Sequence, residues 1–148
     1  GKPYIVFATA PSMDGYASTV SPLLINGFKR TYITVHPLAI IADIDMLCSA
    51  PDDMILAGFG DILGKVTSLA DWQLGVILAQ ERLCPVAKNM VQSALEEVVS
   101  KASQIAQRKP EGVQALMEAL ILSGVAMMMV GNSGRLRAAS ITYPTILR

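Results

Sequence analysis

The chain has 148 residues, 52% hydrophobic and 16% charged, and its twelve basic and twelve acidic side chains balance. That length is enough for one domain with a real core, and that composition excludes an intrinsically disordered segment. Without a run of one charge sign, the sequence carries no electrostatic footprint for a nucleic-acid partner.

Residues 3–8, PYIVFA, are β-branched and apolar and run into the polar stretch TAPSMDG, which predicts a buried strand feeding a loop. A chain that opens directly on a core strand is expected to have something ahead of it. Asn26-Gly27 stands between two β-prone runs and predicts a hairpin. Residues 38–43, LAIIAD, follow Pro37 and predict a second short buried strand. The pattern then turns helical over residues 52–69, 71–82, 85–107 and 110–130, with Pro51, Pro85 and Pro110 where helices begin. The fold class expected is a short α/β beginning followed by an all-helical body.

Residues 113–130 are apolar enough to raise the question of a membrane. They include Gln114, Glu118, Ser123 and Gly124 and lack basic or aromatic flanks, so a helix buried in protein is expected. No charged-then-apolar leader is present, and Cys48 and Cys84 form no C-x-x-C pair. Both cysteines are therefore expected to be reduced and buried in a cytoplasmic protein.

Two stretches could carry chemistry. In TAPSMDGYAS, Thr9, Ser12, Asp14 and Ser18 place hydroxyls and a carboxylate on a loop at a strand end, where open α/β sheets bind ligands. Spacing alone favours a plainer role, with Ser12 or Asp14 as a helix N-cap. In AGFGDILGKVTSLADW, Asp61 interrupts an apolar helical face, which is costly unless the carboxylate is paired or bound to metal. Lys65 lies four residues on and offers an ordinary ion pair. A metal site needs three or four ligands. His36 is the sole histidine and reads as a surface or capping residue, and Met127, Met128 and Met129 read as core packing. From the residues alone, only half a site is visible.

APSMDGYAS, AIIADIDML, AGFGDILGKVTSLADWQL and SGVAMMMVGNS, in that order and spacing, resemble the bacterial sn-glycerol-1-phosphate dehydrogenase family. That family belongs with the iron-containing alcohol dehydrogenases, glycerol dehydrogenase and dehydroquinate synthase. The resemblance covers residues 2–133. It implies a dehydroquinate synthase-like fold and the interconversion of dihydroxyacetone phosphate and sn-glycerol 1-phosphate with NAD or NADP. A divalent metal, zinc by default and otherwise nickel or iron, acts as the Lewis acid. By resemblance, Thr9, Ala10, Pro11, Ser12 and Ser18 touch the cofactor. Asp14 is a catalytic carboxylate that meets substrate beside the nicotinamide. Asp61 is the carboxylate ligand of the metal and also approaches substrate. A phosphorylated small molecule is the implied partner, with homo-oligomerisation of the intact enzyme and neither nucleic acid nor membrane insertion. Glycerol dehydrogenase or another polyol dehydrogenase of the same superfamily is the alternative reaction. A non-catalytic helical interaction module is the alternative class, and SMDGYAS argues against it.

The family's other metal ligands are two histidines in a pattern like SRPASG-x-EH-x-x-SH, where this chain reads SGRLRAAS. A coding segment for SRPASGCEHHISHYL, written with suitable synonymous bases and missing a single base after the serine codon, translates as SGRLRAASITYPTIL, which is residues 133–147. The family's glycine-rich phosphate turn has no counterpart here either. The expected organisation is therefore an inactive fragment. Residues 1–50 would be the end of a nucleotide-binding domain, residues 51–133 a helical metal and substrate domain, and residues 134–148 a frame-shifted tail.

Overall fold

A computed structural model describes residues 2–130. The tail, and with it the frame-shift expectation, lies outside the described residues. Strand β1 (Ile5–Ala8) pairs in parallel with β4 (Ala39–Ala42), Ile5 opposite Ala39 and Ala8 opposite Ala42. The crossover between them holds a 3-10 turn (Gly15–Ala17) and an antiparallel hairpin, β2 (Val20–Ile25) with β3 (Phe28–Ile33). Asn26 and Gly27 both take positive φ, 51° and 80°, as a two-residue hairpin loop of matching twist requires.

The strands are less buried than expected. Ala8 is buried, but Ile5, Phe7 and Ile41 are exposed. Among the described residues each strand has one neighbour, and only one face of the β1–β4 pair meets the helices, where Ala8, Ile40 and Ala42 pack with Leu47, Val113 and Met117.

A short helix absent from the expected set, α1 (Ile44–Cys48), follows β4. Asp43 caps it by accepting the Met46 N–H at 3.0 Å, and its Leu47 is fully buried. Helix α2 (Asp52–Ala79) is one helix where two were expected. Ile55, Gly58, Ile62, Lys65, Leu69 and Trp72 are all buried, and their spacing of three and four carries one stripe straight through the expected break. The reverse holds further on, where residues 85–107 split into α3 (Pro85–Ser100) and α4 (Ala102–Ala106). Lys101 leaves helical geometry between them, and Ile105 turns into the core.

Helix α5 (Pro110–Met129) runs through the centre. Leu116 and Leu120 meet Ile55 and Ile62 of α2 and Val98 of α3, and Ala126 meets Trp72 and Val91. Both α2 and α5 are long and apolar enough to cross a membrane, and most of the apolar stretch of α5 is buried inside the protein. Met127 and Met128 are half-buried, and Met129 is exposed on the face of α5 turned away from the core. Cys48 and Cys84 are free and half-buried rather than buried, since both sit at helix ends on the margin of the core.

Candidate active site

The loop that follows β1 lies directly on α2 and α5, and two glycines make that approach possible. A Cβ on Gly58 would stand 1.9 Å from the Pro11 carbonyl oxygen, and one on Gly124 would stand 2.3 Å from the Asp14 carbonyl oxygen. Each carbonyl occupies the space of a side chain, so residues 11–14 are seated against the helix backbones. The Tyr16 hydroxyl donates to the Ala10 carbonyl and closes the loop.

Asp14 occupies the N-cap position of the 3-10 turn, yet its side chain makes no capping bond. It turns inward. Lys65 Nζ lies 2.5 Å from Asp14 Oδ2, and Ser123 Oγ of α5 donates to the same oxygen at 3.2 Å. The Asp14 N–H donates to Asp61 Oδ2 at 3.0 Å, and Asp61 Oδ1 is 3.7 Å from Lys65 Nζ. Lys65 is fully buried, and only 8% and 12% of the Asp14 and Asp61 side chains are exposed. Burial pushes the Asp61 carboxyl above the usual carboxylate range, and the Asp14 charge pushes the same way. The Lys65 ammonium and the Asp14 N–H oppose them.

The structure thus brings Asp14 and Asp61 into contact across 47 residues of sequence. Of the other site candidates, Thr9 is exposed, Ala10 and Pro11 are buried under the loop, and Ser12 is half-buried with its N–H on the Ala10 carbonyl at 3.0 Å. Ser18 donates to the Val20 carbonyl at 2.9 Å and accepts the Val20 N–H at 3.0 Å, ordering the entry to β2. The expected pair of Lys65 with Asp61 forms at 3.7 Å, and the shorter contact of Lys65 is to Asp14. Neither that contact nor Ser123 was expected from sequence. The available signal was a lysine inside the apolar stripe of α2.

Among the described residues, no group of three or more His, Cys, Asp or Glu side chains is placed to hold a metal ion. His36 is exposed on the connection to β4. Burial and the nearby Asp45 both raise the Cys48 thiol's pKa, although Arg108 acts against them. The donor set at Asp14 and Asp61 consists of two carboxylates and one hydroxyl around an ammonium, and by itself it does not fit a metal ion.

A family model described as iron-containing alcohol dehydrogenase matches residues 1–51. A protein of Bacillus licheniformis named glycerol-1-phosphate dehydrogenase [NAD(P)+] is 46% identical over 133 residues. Over its first 51 residues the chain is thus similar to the iron-containing alcohol dehydrogenases. The Bacillus licheniformis alignment covers 90% of this chain and 33% of the relative. A Halalkalibacterium halodurans relative of the same name is 47% identical, again over 90% of this chain and 33% of its own length. The chain therefore spans about a third of the length of these curated relatives. In fold, the chain is similar to the crystal structure of a probable glycerol dehydrogenase from Sinorhizobium meliloti, with a TM-score of 0.70 and 16% identity, covering 87% of this chain and 39% of that one. It is also similar to glycerol dehydrogenase from Schizosaccharomyces pombe, with a TM-score of 0.58 and 19% identity, covering 80% of this chain and 34% of that one.

Proposed function

We propose that this chain carries the Asp14–Asp61 part of an NAD(P)-linked oxidoreductase that interconverts dihydroxyacetone phosphate and sn-glycerol 1-phosphate. The observation that carries this reading is the direct hydrogen bond between the two carboxylate-bearing segments, in a chain 46% identical to a glycerol-1-phosphate dehydrogenase. Residues 1–50 are assigned to the end of a nucleotide-binding part and residues 51–133 to a helical part. Thr9, Ala10, Pro11, Ser12 and Ser18 are assigned to the cofactor side. Asp14 is assigned to orienting substrate hydroxyls near the nicotinamide. Asp61 is assigned as the described chain's single donor to a divalent metal, with the remaining donors outside residues 2–130. Alone, the chain is expected to be inactive and, as a metabolic enzyme's segment, cytoplasmic. Hydride transfer needs cofactor and substrate held together in near-attack geometry, and the seated loop supplies only one side of that arrangement.

A chimera tests the reading. This chain replaces the matching segment of the Bacillus licheniformis relative, which supplies the rest. The chimera is expected to reduce dihydroxyacetone phosphate with NADH or NADPH. Asp14→Asn and Asp61→Asn should each lower kcat by about a hundredfold or more. A chimera that turns over glycerol and ignores the phosphate ester would move the assignment to a polyol dehydrogenase.

A further inference from the structure

We propose that Lys65 is the resident cation of the Asp14–Asp61 cluster, and that it keeps a divalent metal ion from using both carboxylates. Four observations support this. Lys65 is fully buried on the core stripe of α2, a position that accepts a lysine only when its charge is matched. Its ammonium stands 2.5 Å from Asp14 and 3.7 Å from Asp61, so it occupies the place between them that a bridging cation needs. Asp14 Oδ2 takes both Lys65 and Ser123, which commits that carboxylate to the protein. Asp61 Oδ2 takes the Asp14 N–H, while Asp61 Oδ1 makes only the looser contact to the ammonium, at 3.7 Å. Lys65 therefore sorts two adjacent carboxylates into one that is neutralised internally and one that can face outward. It acts through Asp14 and Asp61 and is a positioning residue.

The consequence concerns metal binding and is independent of the substrate assignment. With Lys65 present, the two carboxylates offer no joint site. With its charge removed, two close carboxylates share a buried pocket without a counter-ion, and a divalent cation is the natural replacement. Zinc is the probe, used on the full 148-residue chain and on Lys65→Met and Lys65→Gln, with Asp61→Ala as background. By equilibrium dialysis, the unmodified chain should show no zinc uptake that Asp61→Ala abolishes. Both Lys65 variants should show Asp61-dependent uptake. Relative to EDTA, zinc should raise their melting temperatures by about 5 °C or more, while leaving the unmodified chain within about 1 °C. The Gln variant keeps a donor for Asp14 and guards against simple loss of packing. Asp61-dependent zinc in the unmodified chain overturns the proposal. So does a failure of zinc to stabilise or refold either Lys65 variant. Because the readout is binding rather than turnover, the chimera's substrate result and this result can fail separately.

Discussion

Asp61 is a carboxylate whose environment favours the protonated form, and that has a defined signature in stability. Its folded-state pKa is raised above the ordinary 3.8 by burial first and by Asp14 second. The folded state therefore holds the proton to higher pH than the unfolded chain. The stabilisation from this group is fully present below the unfolded pKa and is lost as pH rises through the raised folded value. Urea unfolding from pH 4 upward is expected to show this decline in the unmodified chain and a flatter profile in Asp61→Asn; parallel profiles would contradict the assignment. The loop seat is a second consequence at this scale. Gly124→Ala drives a methyl into the Asp14 carbonyl and Gly58→Ala drives one into the Pro11 carbonyl. Each is expected to cost about 1–3 kcal/mol, read by denaturant unfolding. Asp14 and Asp61 were legible as candidates because carboxylates in apolar or strand-end settings demand a reason. Their meeting was not, since it depends on β1 delivering residues 9–14 onto α2 and α5, a long-range placement that local spacing does not encode.

Helix α2 shows how an element is decided by its buried face. Ala70-Asp71 resembles a helix restart, but Leu69 and Trp72 both lie in the core cluster with Val91 and Ala126. A break between them would take one of the two off that face, so packing carries the helix through the expected boundary. The division of α3 from α4 has the opposite origin. Nothing in the sequence marks Lys101 as a stop, and the reason lies in α5. A Cβ on Gly112 would come within 2.6 Å of the Ile105 N, so α4 and the start of α5 are in backbone contact. The far end of α2 was placed within a few residues from sequence, although Gln80 rather than glycine adopts the left-handed cap conformation, φ 53° and ψ 33°. A left-handed residue with a Cβ is strained, so Gln80→Gly should stabilise the chain by about 0.5–1 kcal/mol in urea unfolding, with α2 unchanged by circular dichroism.

At the scale of the whole molecule, the apolar strands raise a question that their sequences share with the structure. Apolar, β-branched runs predicted buried strands at residues 3–8 and 38–43, and the hairpin was placed correctly from Asn26-Gly27. Yet every residue of β3 is exposed, and Leu24 and Ile33 are 75% and 91% exposed. Burial belongs to neighbours: the strand pattern encodes the demand for a covering surface without encoding what provides it. The relatives matched here are about three times as long as the stretch they share with this chain. Leu23, Leu24, Ile25, Phe28, Tyr32 and Ile33 form an apolar two-stranded ribbon whose edges are unpaired among the described residues, which favours association of one copy with another. Sedimentation velocity over a hundredfold range of concentration is expected to show mass increasing with concentration. Leu24→Lys combined with Ile33→Lys removes two of the most exposed apolar side chains and moves the formal net charge of zero to +2. Both changes oppose association. The double variant should sediment closer to a monomer at the same concentrations, with the far-ultraviolet spectrum of the helices retained. Leu24→Glu with Ile33→Glu should do the same with the opposite charge, which separates loss of apolar contact from any effect of sign. A single monomeric mass for the unmodified chain throughout would show that the ribbon is stable uncovered.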